Sequence, residues 1–219
     1  QPLGAGDLSL SYRLFDASWA PTEQIPERAP GTVFCEDRFC AIDETLRGDT
    51  ERHVLTANYL SDDWRITAYA QRYDWELLNN FTYFLDDPVN GDQLRQYDDR
   101  WTFGGRIERT EQLSDRFSLR LGAEGRYDDI GEVGLGETID GVTEFTVGAF
   151  AVEEASLGLY AEAIWRPVDR LMVIAGLRGD WYDFEAEALR GALSWTNDAT
   201  DETFAPKIGL NYEVVESLA

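Results

Sequence analysis

The sequence predicts an all-β protein: an antiparallel, up-and-down transmembrane β-barrel segment of about eight strands. Short periplasmic turns are expected at one end and long extracellular loops at the other. Three observations predict this. Apolar and polar residues alternate with period two over runs of about ten to twelve residues. Short polar turns alternate with long connections rich in Gly, Asp and Asn. Aromatic residues sit near the short turns and again about ten residues away, the length of tilted strand that crosses a hydrocarbon core.

The strands are expected near residues 7–18, 48–60, 64–78, 98–111, 116–130, 153–166, 171–187 and 204–214. In the first, Leu8, Leu10, Tyr12 and Leu14 alternate with Ser9, Ser11 and Arg13. In the fifth, Phe117, Leu119, Leu121, Ala123, Gly125 and Tyr127 alternate with Ser118, Arg120, Gly122, Glu124, Arg126 and Asp128. The seventh carries Leu171, Val173, Ala175, Leu177 and Trp181 against Gly176, Arg178 and Asp180. The eighth carries Phe204, Pro206, Ile208, Leu210 and Tyr212 against Lys207, Gly209 and Asn211. A strand with one face on lipid and one on a polar lumen needs this alternation. Leu119, Leu121, Leu157, Leu159, Val173, Ala175, Ile208 and Leu210 are therefore placed on lipid. Arg120, Glu124, Glu162, Arg178, Asp180 and Lys207 are placed in the lumen.

Short turns are read at Leu60-Ser61-Asp62-Asp63, Leu113-Ser114-Asp115-Arg116 and Pro167-Val168-Asp169-Arg170. A fourth is read at Val214-Val215-Glu216-Ser217 and an earlier one from Pro2 to Gly6. Their spacing is a structural period, because the residues themselves differ. Long loops are expected over residues 19–48, 79–97, 131–152 and 188–203. The aromatic bracket is read in Phe117 with Tyr127, Tyr212 with Phe204, and Trp64 with Trp75. Trp101 and Trp181 stand at the same distance from their turns. Such rings favour the membrane interfaces, where the body is buried and the polar tip stays wet. Small inward residues (Ser9, Ser11, Gly104, Gly122, Gly158, Gly176, Gly209) fit an interior roomier than eight strands enclose. With a turn after the last strand, the chain reads as a partial barrel domain over 1–219, with a plug domain and further strands absent.

The 219 residues carry 42 acidic and 19 basic side chains, a formal net charge of −23, and only one of the bases is a lysine, Lys207. Nucleic acid is excluded as a partner, since phosphate binding needs an excess of Lys and Arg. No run of eighteen apolar residues exists, so no helix spans a membrane, a test that says nothing about strands. The N-terminus has neither the basic start nor the apolar core of a signal peptide, so the chain is either cytosolic or a mature or truncated piece. Cys35 and Cys40 stand in VFCEDRFC with four residues between them. A local disulfide is expected there, with two free thiols in a loop as the alternative.

Catalytic chemistry finds little support. His53 is the only histidine, so no nucleophile–His–acid set can be drawn, and His53 reads as a surface or lumen residue. The acid pairs Asp62-Asp63, Asp86-Asp87, Asp98-Asp99, Asp128-Asp129 and Glu153-Glu154 fall at turns and strand ends, where Asp suits turn geometry. GEVGLGETIDG lacks the Lys-Ser/Thr of a phosphate loop. The acidic stretch 86–99 has oxygens for Ca2+ but lacks the spacing of an EF-hand and reads as a solvated loop. No enzyme activity, cofactor or metal site is expected.

Residues 156–188 resemble the middle of the barrel domain of TonB-dependent outer-membrane receptors. In that family a strand ending Tyr-x-Glu-x-x-Trp-x-Pro leads through a periplasmic turn to Gly-Leu-Arg-x-Asp. Here these are Tyr160, Glu162, Trp165 and Pro167, then Gly176, Leu177, Arg178 and Asp180. The family's next strand often reads Ser-Pro-Lys-x-Gly-Leu-x-Tyr, and here Ala205 replaces the Ser ahead of Pro206, Lys207, Gly209, Leu210 and Tyr212. The resemblance is specific over residues 116–214 and holds only as a pattern over 1–115. It implies part of the wall of a 22-stranded barrel in a Gram-negative outer membrane, importing a scarce ligand such as a ferric siderophore or cobalamin. It implies lipid and lipopolysaccharide around the wall, and a TonB complex engaged through an N-terminal region not visible here. Ligand contacts are expected at Arg126, Asp128, Arg178 and Asp180 and in the long loops, residues 79–97 above all. Two further readings stay open: a small structural or adhesive outer-membrane barrel, and a soluble acidic β-protein that binds a small molecule.

Overall fold

A computed structural model describes residues 2–3, 6–21, 23–33, 35–192 and 195–214. The backbone runs as β1 (Pro2–Leu3), β2 (Gly6–Trp19), β3 (Arg47–Ser61), β4 (Trp64–Asn79), β5 (Gln93–Ser114), β6 (Phe117–Ile139), β7 (Val142–Val168), β8 (Leu171–Gly191) and β9 (Thr196–Tyr212). Each strand pairs antiparallel with the next, in the order of the sequence, to form one open sheet. The eight long strands are the eight expected, and no helix occurs among the described residues. The turns after β3, β5 and β7 are as tight as expected. The turn read at 214–217 lies largely outside the described residues, as do Gly4 and Ala5 of the one read from Pro2.

Two of the four long loops are corrected. Residues 131–152 are mostly strand, the upper parts of β6 and β7, joined by a tight turn at Asp140 and Gly141. Both turn residues are left-handed, with φ of 48° and 79°, the backbone that matches the twist of a two-residue hairpin. Residues 188–203 are likewise mostly strand, belonging to β8 up to Gly191 and to β9 from Thr196. Glycine and aspartate are poor strand formers in isolation, which made these stretches read as loop. Here β6 tolerates Gly131, Gly134 and Gly136 by breaking register between Ile130 and Val133, Leu135 and Gly136, and Glu137 and Thr138. The loops that remain long are residues 20–46 and 80–92. At 27 residues β7 is more than twice the length a membrane requires, so the wall stands well clear of the bilayer.

The register sorts side chains onto two faces. Leu121, Leu159, Ile208 and Leu210 lie on the outer one, 48%, 57%, 80% and 73% exposed. A monomeric soluble protein rarely leaves so continuous an apolar surface bare. Phe117 and Trp165, paired across β6 and β7, mark its lower border; Tyr127, Trp181 and Phe204 mark its upper one. Trp75 does not belong to this bracket. It is eleven positions from Trp64, an odd number, and so shares the opposite face with Tyr69, Gln71 and Tyr73.

Candidate functional site

The inner face of β5 to β9 carries a connected set of charges. Alternation brings Arg106 and Glu108 of β5, Arg120, Glu124, Arg126 and Asp128 of β6, Tyr160 and Glu162 of β7, Arg178 and Asp180 of β8, and Lys207 of β9 to one side. Arg106 donates to the Tyr160 hydroxyl at 2.7 and 2.9 Å and to Glu108 at 2.9 Å. Tyr160 donates in turn to Glu108 at 2.8 Å. Arg120 and Lys207 each reach one oxygen of Glu162, at 3.1 and 2.8 Å. The second contact spans a strand, because Glu162 pairs with Gly176 and Gly176 with Lys207, and no side chain stands between. Arg120 Nε is buried without a hydrogen-bond partner, 3.7 Å from Glu108.

The four residues expected to contact a ligand form two pairs within this set. Arg178 and Asp180 bond each other at 2.9 Å, and Arg178 also reaches Glu124 at 3.4 Å. Arg126 holds Asp128 at 2.5 and 2.9 Å. Arg126, Arg178 and Asp180 line one recess together with Arg106, Glu124 and Tyr182. Asp128 does not open into it: it is 2% exposed and also accepts from Thr102 at 2.6 Å. Asp128 thus orients Arg126 rather than presenting a charge. Arg106 and Glu108 were missed by sequence reasoning, although Gly104, Arg106 and Glu108 share the inward parity of β5. A buried carboxylate with two or more donors is a fixed part of a wall, whereas half-exposed guanidinium groups remain available.

Three of the inward glycines, Gly104, Gly122 and Gly158, leave no open space above them. The Tyr69 ring covers Gly104, the Tyr160 ring covers Gly122, and the Arg178–Asp180 pair covers Gly158. Glycine on one strand gives the neighbour's long side chain a place to lie flat, the arrangement by which aromatic residues shield strand glycines.

Above the aromatic border the outer face turns acidic. Asp129, Glu153, Glu185 and Asp198 stand directly opposite one another across β6, β7, β8 and β9. Like charges opposed at this spacing destabilise a sheet. Glu185→Gln is therefore expected to raise stability by roughly half a kcal/mol at low ionic strength, with the gain fading in molar salt. Thermal unfolding of the detergent-solubilised receptor at both salt levels checks this.

In the loops, Cys35 and Cys40 are joined in a disulfide, with Cα atoms 5.2 Å apart. Closing so short a ring contributes about 2 kcal/mol by the chain-entropy account. The acidic loop uses its carboxylates on its own backbone. Asp92 accepts from the amides of Leu85, Asp86 and Asp87 at 2.7 to 3.2 Å. Asp87 accepts from Val89 and Asn90, both at 2.9 Å. Burial raises the Asp92 pKa, but these backbone hydrogen bonds and one from Thr82 outweigh it and hold the carboxyl below its ordinary range. Among the described residues no three His, Cys, Asp or Glu side chains are grouped to hold a metal ion.

An open meander with an apolar outer face and a charged inner face is a barrel wall, and comparison with known proteins gives it a family. Residues 5–219 match the family described as "TonB dependent receptor-like, beta-barrel". The chain belongs to the TonB-dependent receptors. This is an outer-membrane family of receptors and transporters in Gram-negative bacteria. Among solved structures the chain is similar to the copper transporter OprC, with a TM-score of 0.58 and 19% identity over 79% of this chain and 29% of that one. It is also similar to the ferric yersiniabactin uptake receptor FyuA from Yersinia pestis, with a TM-score of 0.52 and 12% identity over 78% of this chain and 27% of that one. At these identities the likeness concerns the fold, and the chain spans less than a third of either receptor's length. No curated protein matches the sequence. The family-like residues Tyr160, Glu162, Arg178 and Lys207 are those that tie the inner charges across β5 to β9.

Proposed function

We propose that this chain forms part of the wall of a 22-stranded outer-membrane barrel that imports a scarce ligand, such as a ferric siderophore or cobalamin. Energy would come from a TonB complex through an N-terminal region of the receptor, and lipid and lipopolysaccharide would cover the outer face. The observation that supports this reading is the inner face: charged groups held in place by one another, with the half-exposed Arg126 and Arg178 sharing one recess with Asp180. In a chain of net charge −23, the named cations of this face, Arg106, Arg120, Arg126, Arg178 and Lys207, equal in number its named carboxylates, Glu108, Glu124, Asp128, Glu162 and Asp180, so a negative ligand is not repelled there.

The test is ligand-dependent growth and uptake by cells whose receptor carries Arg178→Ala or Arg126→Ala, with folded barrel confirmed by heat-modifiable migration. Loss of one charge-assisted contact is expected to weaken ligand capture by about tenfold or more. Unchanged uptake of ferric chelates and of cobalamin in both variants, with the barrel folded, would remove these residues from the ligand path.

A further inference from the structure

We infer that the loop between β2 and β3, the loop between β4 and β5, and the tip of the β6–β7 hairpin form one preassembled cap, clasped by the side chain of Gln93. Gln93 opens β5 and is 3% exposed. Its amide nitrogen donates to Thr45 Oγ1 at 2.6 Å and to Asp43 at 3.3 Å, both in the first loop. Its amide oxygen accepts from Thr138 Oγ1 at 2.8 Å and from the Gly141 backbone at 2.7 Å, both at the hairpin tip. One side chain thus uses its donor end on one segment and its acceptor end on another.

The remaining contacts close the cap. Asn80, 1% exposed, donates to Asp43 at 3.1 Å and accepts from the Tyr83 amide at 2.7 Å. The Tyr83 hydroxyl reaches the Gln24 carbonyl at 2.9 Å, back in the first loop. Asp43 also accepts from the Thr45 amide and hydroxyl at 3.0 and 2.5 Å. At the hairpin tip Gly141 has φ of +79°, and a Cβ there would come within 2.6 Å of Arg47 and 3.2 Å of Leu78. The tip therefore lies against the ends of β3 and β4. Surface loops are usually the parts of a protein that open on their own. These three share buried hydrogen bonds that none can break without stranding polar groups of another. The disulfide-bearing loop is consequently a fixed rim, and any closure over a ligand falls to loops elsewhere around the mouth.

The two ends of Gln93 can be separated by substitution. Gln93→Glu keeps an acceptor for Thr138 and Gly141 but sets a carboxylate against Asp43. Gln93→Lys keeps a donor for Asp43 and Thr45 but offers no acceptor. Amide exchange in the whole receptor reads the result, with no ligand required. Q93E is expected to speed exchange at Thr45 roughly tenfold or more while Gly141 stays protected, and Q93K to do the reverse. Q93L should release both. The Arg166 amide, bonded to the Arg116 carbonyl at the far end of the wall, reports that the barrel is folded in each variant. Protection unchanged at both sites, or lost at both sites in Q93E and Q93K alike, would overturn the clasp.

Discussion

Arginine at Leu177 or Leu121 is expected to cost the folded receptor roughly 2–4 kcal/mol, enough to depress the yield of folded barrel in the outer membrane. Both positions lie on the outer face, opposite Ala161, midway between the lower aromatic border at Phe117 and Trp165 and the upper one at Tyr127 and Trp181. Ala175, one step lower on the same face, sits in a shallow apolar recess with Phe117, Ala163, Trp165 and Val173, a surface suited to acyl chains. A guanidinium there finds neither water nor a carboxylate. Asp180→Asn should cost far less, because Asp180 faces the lumen, where Arg178 keeps Glu124 as a second partner. An arginine scan over residues 171–181 separates the faces. The folding defect should alternate with period two and be largest at Ala175 and Leu177, with a smaller penalty at Val173, which shares the rung of Trp165. A period near four, or a flat profile, would show that β8 does not face lipid.

That alternation was legible because it is local. Each strand announces its own two faces, and the tight turns after β3, β5 and β7 are written in consecutive polar residues. What sequence reasoning lost was either a matter of counting or a matter of distance. The approximate spacing of Trp75 from Trp64 suggests the aromatic bracket, but an odd separation places the two on opposite faces. Asp140-Gly141, flanked by Ile139 and Val142, is a strong hairpin signal, yet it was submerged in a glycine-rich run read as loop. The upper strands of the β6–β7 hairpin, and with them the height of the wall, went unseen for that reason.

The inner face was legible in part for a related reason. Arg178 and Asp180, or Arg126 and Asp128, stand two residues apart, and period two alone puts each pair together. The contact of Tyr160 with Arg106 and Glu108 joins residues more than fifty positions apart. Knowing it requires the register of β5, β6 and β7, which pairing and turns fix only after folding. Gln93 is the extreme case: its partners come from two other segments, and nothing beside it in the sequence marks it.

Gly122→Ala is expected to destabilise the wall by about 1–3 kcal/mol, the usual cost of forcing a group into an occupied space. A Cβ at Gly122 would lie 2.0 Å from Tyr160 Cζ and 2.3 Å from its hydroxyl oxygen. The ring must then swing off the glycine, and its hydroxyl leaves both Arg106 and Glu108. Glu108, only 6% exposed, loses one of its donors. The origin of the cost can be checked by removing the ring. In a Tyr160→Ala background the clash is gone, and Gly122→Ala should be neutral or slightly favourable, since alanine restricts the unfolded chain more than glycine does. The double-mutant cycle should therefore show coupling of about 1 kcal/mol or more. Gly179→Ala provides the contrast, because a Cβ there meets nothing nearer than the Thr203 carbonyl at 3.9 Å. Denaturant unfolding of the receptor in detergent measures all four variants. If Gly122→Ala and Gly179→Ala cost the same, and Tyr160→Ala changes neither, then Gly122 serves the backbone of β6 alone and the ring of Tyr160 is not what requires it.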